Sequence, residues 1–116
     1  MDKILIPLHD NDIAPRFDLA TDVLEVIFHK PPSELPHEEK VLVMARASAD
    51  ELSRFVITEK VNTVICAGIE EQYLQFLTWK GIKVIADVMG PVDAVLNRYF
   101  SGNLKSGDIL YPLEQS

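Results

Sequence analysis

The sequence predicts an α/β domain, and three observations carry this prediction. A chain of 116 residues that is 47% hydrophobic is long enough to build one core but hardly two. The runs at residues 3–8 and 23–28 are short, rich in Val, Ile and Leu, and separated by turn-forming residues, as strands are. From residue 61 onwards, strand-like and helix-like segments alternate strictly, which is typical of a layered α/β fold.

The first half of the chain predicts three strands and one helix. Residues 29–39 follow the second strand, and their three prolines and mixed charge predict an exposed loop that cannot continue a sheet. Residues 40–45 are the third strand candidate. Ser48, with Glu51 three positions later, has the form of a capping box, which predicts a helix through about residue 60.

The second half adds two strands and two helices in alternation. Strands joined by single helices should be parallel, with right-handed crossovers. Gly81 stands where the second helix should end, and Pro91 suits the first turn of the third. The chain after residue 107 has no periodicity, so we predict one domain at residues 1–105 and a tail at 106–116. The predicted elements are strands at residues 61–67 and 82–87 and helices at 70–80 and 92–104.

Composition narrows the class of function. The formal net charge of −7 disfavours nucleic acid, whose binding depends on Lys and Arg at phosphates, and it disfavours anionic membranes. No apolar run approaches the roughly 20 residues that a membrane helix needs. The single cysteine, Cys66, cannot form an internal disulfide, which fits a reducing compartment. Since the N-terminus shows no signal-peptide pattern, we expect a cytoplasmic protein.

Four segments in order resemble the dinitrogenase iron-molybdenum cofactor biosynthesis family, the NifX-like domains. They read IAPRFDLA at residues 13–20, VNTVICAGI at 61–69, GIKVI at 81–85 and GPVDAVLNRYFSGNL at 90–104. The resemblance implies a three-layer ribonuclease-H-like motif. It implies a mixed five-stranded sheet in the order 3-2-1-4-5 with strand 2 antiparallel, and three helices.

In a sheet of that order, the crevice lies outside the carboxyl ends of strands 1 and 4, where the winding direction reverses. The loops at residues 9–18, 67–71 and 87–91 should therefore meet there. Cofactor-binding members of the family carry a His-Phe-Gly triplet in the first loop. Arg16, Phe17 and Asp18 stand at those positions here, and members outside nitrogen fixation also carry Pro-x-Phe-Asp.

The candidate cofactor-binding residues come from these loops and from Cys66 at the end of the preceding strand, and several have an alternative interpretation. His9 offers an imidazole nitrogen to a metal, or it is a solvent-facing residue. Arg16 suits an anionic cluster, or it pairs with Asp12 or Asp18. Cys66 is the second candidate metal ligand, or a small buried core residue. The set is His9, Arg16, Phe17, Asp18, Cys66, Gly68 and Gly90, with Phe17 also interpreted as an apolar plug that seats the loop.

Three functions follow from these observations. The resemblance implies a non-catalytic carrier for a molybdenum- or iron-containing sulfur cluster, or for its precursor, working with protein partners in assembly or delivery. The second is an interaction module without cofactor binding, acting through its acidic surface, its tail or an aromatic helix face. The third is a metal-dependent hydrolase with clustered carboxylates. The aromatic face would comprise Tyr73, Phe76 and Trp79; the carboxylates would be Asp10, Asp12, Asp18 and Asp87.

Overall fold

A computed structural model describes residues 2–28 and 38–111 of the chain. Residues 29–37 of the predicted loop and 112–116 of the predicted tail lie outside the described residues. Within the described part, the α/β class, the three helices and the mixed sheet are confirmed. The strands are β1 (Asp2–His9), β2 (Asp12–Ile13), β3 (Asp22–Phe28), β4 (Glu38–Val43), β5 (Thr63–Ile65) and β6 (Lys83–Ile85), and the helices are α1 (Ala49–Thr58), α2 (Glu71–Trp79) and α3 (Val92–Phe100).

The sheet has six strands, one more than predicted. Its main path runs β4-β3-β1-β5-β6, and β2 pairs with β1 beside this path. The pairs β1–β3 and β3–β4 are antiparallel, whereas β1–β5 and β5–β6 are parallel. The added strand folds back on the end of β1, where Leu8 pairs with Ile13 and His9 with Asp12. The segment at residues 9–18, which was predicted as a loop, therefore begins with a tight hairpin.

Successive side chains of β1 point to opposite faces of the sheet, so the core has two layers. Ile4 and Ile6 point into a cluster that includes Val95 and Leu96 of α3. Leu5 points to the opposite face, into a cluster that α1 and α2 cover. All three β1 side chains are inaccessible to solvent, and burying such a side chain stabilises the fold by about 1.5–3 kcal/mol. One helix on one face and two on the other complete a three-layer arrangement.

Local sequence sets the helix ends. The Ser48 hydroxyl accepts a hydrogen bond from the Glu51 N–H at 3.2 Å, so the predicted N-cap of α1 is confirmed. In a full capping box the Glu51 carboxylate would accept a hydrogen bond from the Ser48 N–H. Here it accepts one from the Arg46 side chain at 3.1 Å instead. At the end of α2, Gly81 has φ 84° and its N–H donates to the Thr78 carbonyl. This is the predicted C′ glycine.

Candidate functional site

Backbone hydrogen bonds bring the three predicted loops together at the carboxyl ends of β1 and β5. The Phe17 N–H donates to the Gly68 carbonyl at 2.7 Å, and the Gly68 N–H donates to the Pro15 carbonyl at 2.9 Å. On the other side, the Val92 N–H donates to the Asn11 carbonyl at 2.8 Å. The first loop is thus bonded to both neighbours. We call residues 9–18, 67–71 and 87–91 together the three-loop rim.

Gly68 and Gly90 are positions of close approach within this rim. A Cβ at Gly68 would lie 3.0 Å from the Pro15 carbonyl oxygen. A Cβ at Gly90 would lie 2.9 Å from the Cβ of Leu110, and Gly90 has φ 143°, which side-chain-bearing residues rarely adopt. Its carbonyl accepts from the Ile13 N–H at 3.1 Å. Both glycines have a role in loop packing, and their predicted contact with a cofactor stays a prediction.

The chain after α3 packs against the rim, which sequence reasoning missed. The Met89 N–H donates to the Asp108 carbonyl at 3.0 Å, and the Leu110 N–H donates to the Met89 carbonyl at 2.8 Å. The Tyr111 hydroxyl donates to the Asp12 carboxylate, and this bond raises the pKa of Tyr111. The described part of the predicted tail therefore forms a fourth segment beside the rim. Irregular segments carry no periodicity, so only the apolar residues 109–111 could have signalled this contact.

Arg16 lies on the outside of the rim and pairs with Asp18. Its Nε and Nη2 donate to the two Asp18 carboxylate oxygens at 3.0 and 2.7 Å. Its Nη2 also lies 3.9 Å from a Glu70 carboxylate oxygen. Among the alternatives left open by the sequence, the Asp18 pairing is the one observed. The guanidinium stays about half exposed, so its Nη1 is available to a ligand.

A cavity of about 340 Å³ lies between the first loop and the start of β3, and both His9 and Arg16 border it. No residue of the other two loops lines it, so it does not lie in the crevice that the predicted sheet order placed among the three loops. The His9 side chain is largely exposed, with its Nε2 3.9 Å from an Asp10 carboxylate oxygen. Asp10 and Asp22 also line the cavity. The volume falls at the lower end of the roughly 300–1,000 Å³ typical of ligand sites. The cavity therefore offers one imidazole, one guanidinium and two carboxylates to a small ligand.

Phe17 and Cys66 lie inside the protein, beneath the rim. Phe17 is 1% exposed and its ring centroid lies 6.5 Å from that of Tyr73, so it seats the first loop on the core. Cys66 is fully buried in the same cluster. Burial, and then the nearby Asp87 carboxylate, raise the pKa of the Cys66 thiol to about 12. That Cys66 is a metal ligand stays a prediction. It requires the ends of the strands to open, because the buried thiol must first lose its proton.

Three of the candidate carboxylates interact with different side chains rather than with one another. Asp18 is held by Arg16, Asp12 by Tyr111, and Asp10 lies beside His9. Across residues 2–28 and 38–111, no three His, Cys, Asp or Glu side chains lie close enough to hold a metal ion together. Over the same ranges, no helix is long and apolar enough to cross a membrane.

Together these features define a small α/β domain with a looped rim at the carboxyl ends of its parallel strands. The sequence profile of the family described as dinitrogenase iron-molybdenum cofactor matches residues 16–102. The chain therefore belongs to this family. The match contains Arg16 and the other two loops, and it begins after His9.

Solved structures share the fold. A candidate dinitrogenase from Methanocaldococcus jannaschii is 24% identical with a TM-score of 0.68, over 95% of this chain and 96% of that chain. A candidate NifB protein from Thermotoga is 17% identical with a TM-score of 0.66, over 99% and 100%. The apo form of the orange protein from Desulfovibrio gigas is 17% identical with a TM-score of 0.67, over 91% and 92%. At these identities the likeness shows the fold alone. No curated protein sequence matches the chain.

Proposed function

We propose that this protein is a non-catalytic carrier that binds a metal-sulfur cluster, or a precursor of one, at the first loop of the three-loop rim. Membership of the iron-molybdenum cofactor family supports a role connected with such clusters. The observation that carries the proposal is the cavity of about 340 Å³ bordered by both His9 and Arg16. In this proposal the cluster is cargo, received from and passed to protein partners of cofactor assembly.

The chemistry of the cavity supports a small inorganic ligand with charges of both signs. An imidazole nitrogen suits a borderline metal, and the free side of a guanidinium suits anionic sulfur or oxygen. Asp10 and Asp22 disfavour a ligand that presents only negative charge. The cargo should therefore direct metal ions toward His9 and the carboxylates, and its anionic atoms toward Arg16.

We also infer that the fold is ribonuclease-H-like. The order of the five longer strands and the antiparallel pairing of β1 with β3 support this assignment. Catalysis by a cluster of carboxylates is less well supported than binding, because Asp12 and Asp18 are engaged by Tyr111 and Arg16. The proposal is therefore a binding protein on this fold.

The test is metal and sulfide analysis, with an absorption spectrum, on protein purified anaerobically. The measurement is repeated after incubation with iron, molybdate and sulfide. We expect stoichiometric metal and a visible absorption band. His9→Ala and Arg16→Ala should weaken the band without unfolding the protein, whereas Arg98→Ala, in the last turn of α3 and outside the lining of the cavity, should not. Colourless, metal-free protein under both conditions would reject the carrier proposal.

A second candidate function is a protein-interaction module, and the edge strand β4 favours it. Val41 and Val43 are 60% and 75% exposed there, and no strand within the described residues pairs with the outer edge of β4. Exposed edge strands bind other chains by strand addition. This candidate predicts protein without metal and a partner whose binding is lost when Val41→Lys and Val43→Lys are introduced together.

A further inference from the structure

A second and larger cavity, of about 530 Å³, lies between α1 and α2. It shares no lining residue with the cavity at the rim. It follows the length of both helices, since Asp50 and Tyr73 of their first turns line it, as do Ile57 and Lys80 at their other ends. We call it the helix groove. Its volume lies within the range of small-molecule sites, roughly 300–1,000 Å³.

The two ends of the helix groove differ in their free charges. At the first turns, the Tyr73 hydroxyl donates to the Asp50 carboxylate at 2.9 Å, so this end of the groove carries a hydrogen-bonded negative charge. Arg54 lines the middle of the groove, and no hydrogen bond or ion pair engages its guanidinium within the described residues. Lys80 closes the other end, where its Nζ lies 5.8 Å from the centre of the Phe76 ring and 5.0 Å from that of Trp79. Arg54 and Lys80 therefore lack a carboxylate partner in the part of the chain that the structure describes, although the net charge of the chain is −7.

The walls of the helix groove combine apolar surface with an unpaired polar group. Ile57 and Phe76 are each more than one-third exposed, so they give the groove apolar surface that a ligand can cover. Ser53 is 4% exposed and belongs to the wall, and its buried hydroxyl oxygen has no hydrogen-bond partner among residues 2–28 and 38–111. A buried hydroxyl without a partner is unfavourable, so a polar ligand atom would improve this position.

We propose that the helix groove binds a small organic anion with an apolar or aromatic body. The body packs between Ile57 of α1 and Phe76 of α2. The carboxylate, sulfonate or phosphate head accepts hydrogen bonds from Arg54 and Lys80, which are the groups without a counter-charge. The Ser53 hydroxyl, which is buried in the wall, supplies a further donor when the side chains over it shift to admit the head group. This site is independent of the proposed cluster site and stands if that proposal fails.

The chain carries its own reporter for this site. Trp79 is the single tryptophan, and the Lys80 ammonium lies over its ring, so a ligand that attracts Lys80 changes the surroundings of the indole. The probe is 8-anilinonaphthalene-1-sulfonate, an aromatic anion that quenches tryptophan emission. Its neutral counterpart, N-phenyl-1-naphthylamine, has the same body without the sulfonate. Titration of folded, full-length protein with each probe separates the contribution of charge from that of apolar contact.

We expect one saturable site for the sulfonate probe and at least a fivefold weaker affinity for the neutral probe. Arg54→Gln and Lys80→Gln should each weaken the sulfonate probe threefold or more. Ser53→Ala should weaken it as well while leaving the thermal unfolding midpoint unchanged or higher, because it removes an unpaired buried hydroxyl. Arg98→Gln on α3 is the matched control and should change nothing.

Three results would overturn the proposal. The first is equal affinity for the charged and neutral probes. The second is an equal effect of Arg98→Gln and Arg54→Gln, which would mean that only overall charge matters. The third is absence of saturable binding together with a Trp79 emission maximum that shifts with protein concentration, which would mean that a second copy of the chain covers the helix groove.

Discussion

Cys66 shows how burial controls the chemistry of a single residue. Its thiol has an ordinary pKa of 9.0, and burial followed by the Asp87 charge raises this to about 12. The folded protein therefore keeps the proton in a pH range where the unfolded chain releases it. Its contribution to stability is complete below pH 9 and is lost as the pH rises from 9 toward 12.

The resulting prediction is that the free energy of unfolding falls more steeply with pH above 9 in the native sequence than in Cys66→Ala. The difference in slope should approach about 1.4 kcal/mol per pH unit within the window. Urea unfolding of both proteins at pH 8, 9.5 and 10.5 measures it, and other titrating groups cancel in the comparison. Parallel pH profiles would show that the thiol is accessible in the folded state.

Gly90 illustrates a constraint of space rather than of charge. A Cβ there would lie 2.9 Å from the Leu110 Cβ. We expect Gly90→Ala to lower the free energy of unfolding by about 1–3 kcal/mol, since a packed neighbour must move. Gly81→Ala is the control, because Gly81 also has positive φ but has nothing within 4 Å of the added carbon. Chemical unfolding of both variants should show the larger loss at Gly90, and equal losses would mean that only φ matters.

At the scale of elements, all three helices end with the same backbone motif. The residue after the C-cap has positive φ, and the N–H of the next residue donates to the carbonyl of the residue five positions before it. Gly81 and Gly102 occupy this position after α2 and α3, but α1 has Lys60 with φ 57°. A side-chain-bearing residue in this conformation costs roughly 1–2 kcal/mol.

We therefore predict that Lys60→Gly stabilises the protein. The gain should be about 0.5–1 kcal/mol, because relief of the backbone strain is partly offset by the greater freedom of glycine in the unfolded chain. Gly102→Lys, the reverse change after α3, should destabilise. Both are measured as shifts in the urea midpoint. A loss of stability in Lys60→Gly would mean that the exposed Lys60 side chain makes a contact worth more than the strain.

The elements also show what a sequence can and cannot predict. Helix α1 was predictable because Ser48 and the spacing of its apolar residues agree. Strand β2 was not, because Asp12–Ile13 is too short for alternation to be visible. The packing of Leu110 against Gly90 was equally hidden, since irregular segments take their positions from tertiary contacts.

At the scale of the whole molecule, the candidate site depends on topology. The three loops of the rim are distant in sequence, and only a sheet order, which came from family resemblance, could bring them together before the structure was known. Side-chain pairing within the rim could not be foreseen, because Asp12 and Asp18 were both within reach of Arg16. In the structure Arg16 pairs with Asp18, whereas Asp12 accepts a hydrogen bond from Tyr111.

The distribution of stability follows from the same topology and gives the last prediction. Strands β1 and β5 lie in the middle of the sheet, and Ile4, Leu5 and Val64 on them are fully buried. Every residue of β4 is at least partly exposed, and its outer edge has no strand beside it in the described chain. Amide hydrogens of β1 and β5 should therefore exchange only through global unfolding, while those by which β4 pairs with β3 should exchange roughly tenfold faster or more.

Residue-resolved hydrogen exchange by NMR measures this difference, and protein concentration is the control. If the monomer alone sets the pattern, dilution leaves the exchange rates of β4 unchanged. Slow exchange in β4 that becomes faster on dilution would instead mean that the exposed edge is covered by another copy of the chain. That outcome would favour the interaction module over the cluster carrier, because Val41 and Val43 would then lie in an interface rather than in solvent.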